Sequence, residues 1–260
     1  MLRVSGLALS YGATPVLEGV GMEVEDGEFV SLVGPSGSGK STVLRAIIGL
    51  QKPSAGTVEL GVDKRDIGFL FQDDALLPWR RAAENVALGL RLRGMGKHEA
   101  LARAEEWLER LGLKGLGQRY PRELSGGQRK RVAIAQVLAL EPQLLLMDEP
   151  FSALDAITRA RLSQDLLKLV EGRRLSVLLV THDLEEALAL SDNVYLLSRG
   201  PKARIAGQYP VPIPRPRDVI KARTHPEFGP LLERIWQNLS REVVGEPGSE
   251  DQWAGFSIGL

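Results

Sequence analysis

Over residues 1 to about 75, short runs separated by Gly, Pro and Asp turn signals predict β-strands, and apolar and polar positions alternate from Met1 to Ser10. The runs are Arg3 to Ser10, Val20 to Val24, Phe29 to Val33, Gly56 to Leu60 and Ile67 to Gln72. One helix is expected among them, opening at Gly39-Lys40-Ser41 and running to about Leu50, where Gly49 and Pro53 stop it. From Ala82 to Leu140 the apolar spacing changes to three and four, among strong helix formers such as Glu99 to Glu106, and predicts a helical insertion. Leu144 to Met147 and Val177 to Val180 are apolar at every position, as strands covered on both faces of a parallel sheet must be. A helix around Ala156 to Glu171 joins them into a right-handed crossover unit. After Gly207, Pro210, Pro212, Pro214 and Pro216 predict an extended segment. His225 to Arg241 then reads as an amphipathic helix before a polar, Gly-containing end.

A chain of 260 residues that is 43% hydrophobic can bury a sizeable core. Its 33 basic residues balance 33 acidic ones, which leaves no global field to attract nucleic acid or an anionic membrane, so no nucleic-acid partner is expected. The absence of cysteine excludes disulfides and thiolate metal sites and fits a reducing compartment. Residues Met1 to Ser10 lack the basic segment and apolar core of a secretory leader. The longest apolar stretches, such as Val132 to Leu140, fall short of the roughly 20 residues that span a bilayer. Any membrane crossing is therefore expected of another chain.

Gly34-Pro35-Ser36-Gly37-Ser38-Gly39-Lys40-Ser41 matches a phosphate-binding loop between a predicted strand and a predicted helix. Its glycines let backbone N–H groups converge on phosphate oxygens, Lys40 adds a point charge, Ser41 can offer a hydroxyl to Mg²⁺, and the helix start favours an anion. Asp148 and Glu149 emerge where the Leu144 to Met147 strand ends, at the sheet edge where ligands bind. Asp148 suits Mg²⁺; Glu149 suits orienting or deprotonating an attacking water. His182 follows the Val177 to Val180 strand and aims at the same place, with Asp183 and Glu186 as a capping box for the next helix. His98 and His225 lack such context. Ser125-Gly126-Gly127-Gln128 opens another helix and forms a second anion device. Two copies facing head to tail would let each close over the other's nucleotide. The basic run Arg129-Lys130-Arg131 reads as a solvated or interface face.

Together these motifs, in order over residues 1 to 205, resemble the nucleotide-binding subunit of an ABC transporter. The resemblance implies an α/β fold of the P-loop NTPase, RecA-like class: a parallel-sheet core with an N-terminal antiparallel β-subdomain and a helical subdomain inserted at about 76–140. Residues 206–260 would be a tail. It further implies ATP and Mg²⁺ as cofactors, adenine stacking on Tyr11, Thr42 beside the phosphates, Gln72 at Mg²⁺ or the attacking water, and Asp155 at a homodimer interface. The partners would be an integral membrane permease subunit and, indirectly, a periplasmic or extracellular solute-binding protein, at the cytoplasmic face of the inner membrane.

Phe71 to Arg80, Asp148 to Arg159 and Pro214-Arg215-Pro216-Arg217-Asp218 are similar to the nitrate, sulfonate and taurine importers. Between Gly56 and Gly68 the chain is shorter than the family pattern, which implies a trimmed outer β-subdomain. An ABC ATPase acting on nucleic acid or ribosomes would carry tandem cassettes or long coiled coils, and a small-molecule kinase would not need the Ser125 motif. Leu76-Leu77-Pro78-Trp79 is expected either to receive a helix of the membrane partner or to pack within the helical insertion.

Overall fold

The computed structural model describes residues 1–244, so the polar end expected beyond Arg241 lies mostly outside the described residues. Two sheets organise the chain. An antiparallel sheet of order β2-β1-β4 is built from β1 (Leu2–Tyr11), β2 (Thr14–Val24) and β4 (Ala55–Leu60). The main sheet has order β5-β6-β7-β3-β8-β9, from β3 (Phe29–Val33), β5 (Ile67–Leu70), β6 (Leu144–Asp148), β7 (Ser176–Val180), β8 (Asn193–Leu197) and β9 (Ile205–Pro210). Its strands run parallel except β9, which pairs antiparallel with β8 at the edge.

The uniformly apolar strands feed two cores by simple alternation. Leu144 and Leu146 of β6 and Leu178 and Val180 of β7 enter one core, with the antiparallel sheet and α1 (Lys40–Ile47). Leu145, Met147, Val177 and Leu179 enter the other, with the helices on the opposite face. Those helices are α2 (Ala82–Leu92), α3 (Lys97–Arg110) and α4 (Gly126–Leu138) of the insertion, then α5 (Ala156–Arg173), α6 (Leu184–Leu190), α7 (Val219–Ala222) and α8 (Phe228–Val244). None of the described helices is long and apolar enough to cross a membrane.

Four local expectations need correction. The second strand begins at Thr14, because a two-residue turn with Gly12 at φ +59° pairs Tyr11 with Thr14 and folds β2 back along β1. The fifth ends at Leu70, which leaves Gln72 in a loop. The first helix ends at Ile47, three residues before Leu50. The basic run on α4 is not simply a solvated face: Arg131 reaches the Leu111 carbonyl and Asp165, and the half-exposed Arg129 and buried Lys130 hold Asp74. The antiparallel sheet has three strands, and a 3-10 turn at Lys64–Asp66 replaces any longer hairpin.

The expected domain division after residue 205 falls at the first residue of β9, inside the main sheet. Beyond β9 the chain is bound to the sheet's other end. Arg215 and Arg217 both pair with Asp192, whose carboxylate also accepts the Phe29 N–H at the start of β3. Arg217 is buried and donates further to the carbonyls of Leu190 and Ile213. Gln164 on α5 spans the same stretch, donating to the Arg217 carbonyl and accepting from the Val219 N–H. Replacing Arg217 with Ala would leave two buried carbonyls without that donor and Asp192 short of one cation. The expected loss is about 2–4 kcal/mol of stability, read from urea or thermal unfolding, with a neutral effect counting against this anchoring.

Candidate functional site

The phosphate loop runs from the end of β3 into α1, and its glycines serve close approach. A Cβ on Gly34 would stand 2.6 Å from the Leu197 carbonyl oxygen, and one on Gly39, at φ +99°, would stand 2.8 Å from Val16. Gly39 caps α1 without a side-chain hydrogen bond, and no acidic residue sits in the first turn, so the helix start offers its N–H groups to an anion. Lys40 is buried, and its Nζ donates to the Gly34 and Pro35 carbonyls at 2.9 and 2.8 Å. Burial pushes its pKa down against the pull of Glu149 and Asp148. Ser36 and Gly37 are exposed at the rim, whereas Thr42 is buried within α1.

Phosphates and Mg²⁺ fit this chemistry. The Ser38 hydroxyl oxygen is buried in the loop without a hydrogen-bond partner, as an atom meant for an absent oxygen would be. Ser41 donates to Asp148 Oδ1 at 2.8 Å, so a hydroxyl and a carboxylate of the kind that hold Mg²⁺ already face each other. Burial raises the Asp148 pKa, with the Ser41 hydrogen bond opposing. Among the described residues no cluster of three or more His, Cys, Asp or Glu could hold a metal alone.

Glu149 comes directly after β6 in the left-handed region, at φ +44°, a conformation that non-glycine residues adopt at a cost and that clusters at functional sites. Its N–H bonds to the Val180 carbonyl at 2.8 Å, which extends the β6–β7 ladder by one residue before the chain turns. Its carboxylate lies 3.1 Å from His182 Nδ1, across from the end of β7. The imidazole is 54% exposed and the carboxylate 20%, so the pair sits at an open edge with the carboxylate on the inner side.

The capping box expected at Asp183 and Glu186 is half formed. Asp183 accepts from the Glu186 N–H, but the Asp183 N–H is taken by the Thr181 hydroxyl oxygen, and that hydroxyl donates to Glu186 at 2.6 Å. Burial pushes the Glu186 pKa to about 7, with Thr181 opposing. Arg159 connects this corner to α5, pairing with Asp183 and donating to the Leu154 carbonyl. Sequence patterning marked Glu186 only as a cap residue, and nothing in spacing revealed Thr181 or Arg159 as its neighbours in the fold.

The structure brings Lys40, Ser41, Asp148, Glu149 and His182 into one edge through these contacts. It gives no contact between Ser125 and that group. Ser125 caps α4: its hydroxyl accepts the Gln128 N–H, and the Gln128 side chain accepts the Ser125 N–H. Gly127 approaches Thr158, so this helix start lies beside the start of α5. Asp155 caps α5 through the Thr158 N–H, a hydrogen bond that holds its carboxyl below the usual range, and Ile157 beside it is 83% exposed. Tyr11 stands at the β1–β2 turn with a partly exposed ring. Gln72 is exposed, while its carbonyl accepts from Lys130. Asn85 pins the loop after it, accepting from the Leu77 N–H and donating to the Leu77, Arg80 and Arg81 carbonyls. Leu76 packs on the core, whereas Trp79 is 70% exposed.

The family model described as ABC transporter matches residues 17–152. The chain is 43% identical over 244 residues to the aliphatic sulfonates import ATP-binding protein SsuB 2 of Mesorhizobium japonicum, covering 94% of this chain and 93% of that protein. It is 46% identical over 206 residues to the taurine import ATP-binding protein TauB of Escherichia coli O157:H7, covering 77% and 81%. A solved dimeric ATP-binding cassette in a post-hydrolysis state, bound to ADP and Pi, superposes with a TM-score of 0.72 at 35% identity, covering 81% of this chain and 99% of that one.

Two outcomes follow from the geometry. Glu149→Gln keeps the shape of the side chain but removes its basicity. ATP turnover should fall about a hundredfold or more while nucleotide binding is retained, and near-normal turnover would remove Glu149 from the chemistry. The second concerns pH. A folded pKa of about 7 at Glu186, raised by burial above the ordinary glutamate range, means that its contribution to stability is present at acid pH and is lost as pH rises toward 7. Glu186→Gln does not titrate, so it should gain on the parent protein as pH climbs from about 5 to about 8, measured by thermal unfolding at each pH. A stability difference that does not change with pH would show that Glu186 is not so perturbed.

Proposed function

This chain belongs to the ABC transporter family, and on that footing we propose that it is the ATP-hydrolysing subunit of an importer for a small anion such as a sulfonate, taurine or nitrate. The observation that carries the reading is the identity of 43–46%, over most of the chain, to subunits named for sulfonate and taurine import. Two copies would form a homodimer at the cytoplasmic face of the inner membrane, joined to an integral membrane permease. A periplasmic or extracellular solute-binding protein would deliver the anion to that permease.

In this reading the N–H groups of Gly37 to Ser41 and the Lys40 ammonium bind the outer phosphates, and Tyr11 stacks on adenine. Ser41, Asp148 and Gln72 would hold Mg²⁺, which when bound neutralises phosphate charge. Glu149 orients the attacking water and accepts its proton, and His182, in contact with Glu149, keeps the carboxylate aimed and contacts the γ-phosphate. Ser125, Gly126, Gly127 and Gln128 of the second copy close over the same phosphate, with Asp155 at the seam between copies.

The exposed Trp79, on a loop that Asn85 fixes, gives the permease an aromatic anchor beside Gln72. A short helix of the permease seated there would follow the motion of the phosphate-sensing loop. Because Trp79 projects outward, Trp79→Ala should leave the fold and the subunit's own ATPase rate within about twofold. It should weaken assembly with the permease by about 2 kcal/mol, roughly thirtyfold, or uncouple hydrolysis from transport. Reconstituted vesicles that transport normally with the variant would sink this docking role. If the vesicles take up none of the candidate anions with the unmodified subunit, the assignment of cargo fails instead.

A further inference from the structure

Lys130 is the most deeply buried cation of the basic run on α4, with 4% of its side chain exposed. Burying an ammonium is costly unless its protons are met, and here every acceptor comes from one short stretch of the chain. Lys130 Nζ lies 3.1 Å from Asp74 Oδ1, 2.9 Å from the Gln72 carbonyl oxygen and 3.5 Å from that of Phe71. Arg129, its neighbour, adds a second cation to Asp74 at 3.3 Å and places its other hydrogen bond on the carbonyl of Leu124, the residue before Ser125. A merely space-filling position on this helix face would be better served by an apolar side chain. The polar set is specific to the backbone on either side of Gln72.

The helix so gripped is the one that carries Ser125. Gln128, two residues before Lys130, closes the cap around Ser125 through hydrogen bonds in both directions. We infer that Lys130 and Asp74 are positioning residues that lock Gln72 and Ser125 into one moving unit. Contact of Gln72 with Mg²⁺ or the attacking water in one copy then sets where Ser125 stands against the nucleotide of the other. The inference rests on the two-copy reading above and deepens it, because it names the ion pair through which one ATP site senses the second.

The test uses the full chain with Lys130→Met, which keeps length and removes charge, and Asp74→Asn, which keeps the shape of the loop side chain and leaves Lys130 the Gln72 carbonyl. Each should lower kcat about three- to thirtyfold while the dissociation constant for ATP, from displacement of a fluorescent nucleotide, stays within about twofold. The double variant should be no slower than Lys130→Met alone. Gln72→Ala and Ser125→Ala should be non-additive in kcat in the parent protein and additive once Asp74 is Asn. Unchanged kcat in Asp74→Asn overturns the inference. So does loss of ATP affinity and melting temperature in step with kcat, which is the mark of packing alone, and so does additivity already present in the parent. Should Lys130→Met fail to fold, Asp74→Asn decides by itself. The underlying reading fails separately: a Glu149→Gln protein that stays monomeric at saturating ATP, by size-exclusion chromatography, removes the two-copy arrangement.

Discussion

The site depends on one ammonium held out of water. Lys40 sits beneath a loop whose glycines bring backbone close on every side, and its protons are occupied by the loop's own carbonyls. Burial disfavours the charge on Lys40 and on Asp148 alike, so each favours the other's charged form, and an incoming phosphate would further favour the Lys40 ammonium. The surrounding architecture serves that arrangement. Strands β3, β6 and β7 lie side by side, so their ends bring the loop, the Asp148–Glu149 pair and His182 to a single edge. Apolar residues on both faces fix that register, because a slip by one residue would exchange the two cores.

Much of this edge was legible in the sequence because its signals are local. A strand with every position apolar, followed at once by charged residues, marks a buried strand and its exit, and Leu144 to Glu149 reads so without ambiguity. The phosphate loop is contiguous for the same reason. Strand β8 is equally apolar at Val194 to Leu197, yet the sequence does not single it out, since a short apolar run after a helix cannot be told from the helix's own buried side by periodicity alone. Strand β9, with Gly207 inside it and Pro210 at its end, carries the marks of a loop. Only its place at the sheet edge, where unpaired backbone is tolerated, makes it a strand.

Contacts between distant segments were hidden for a different reason. Arg129, Lys130 and Arg131 look like any solvated basic face until Asp74, Asp165 and the carbonyls near Gln72 are folded against them. Glu186 looks like one half of a capping box because Asp183 precedes it by three. The competitor is Thr181, whose hydroxyl satisfies the Asp183 N–H and Glu186 at once. In both cases a side chain with two possible partners chose the one that spacing cannot see. The tail behaves likewise. Its arginines reach Asp192, a residue whose importance lies in already holding the start of β3.

On the proposed two-copy reading, the capping geometry at Ser125 shows what a second copy would change. The serine hydroxyl already serves its own helix, and the Gln128 side chain already serves the Ser125 N–H, so this motif is complete as a cap and incomplete only as an anion site. A phosphate at the helix start can replace the serine as partner of the Gln128 N–H, and this frees the hydroxyl to donate. The exchange gains little for a neutral ligand and much for a multiply charged one, since the helix start and the freed hydroxyl both favour negative charge. On that reading a γ-phosphate held by another subunit's Lys40 would be such a ligand, and it would be lost on hydrolysis. The helix would then return to its own cap, which makes the contact between copies reversible by the chemistry it encloses.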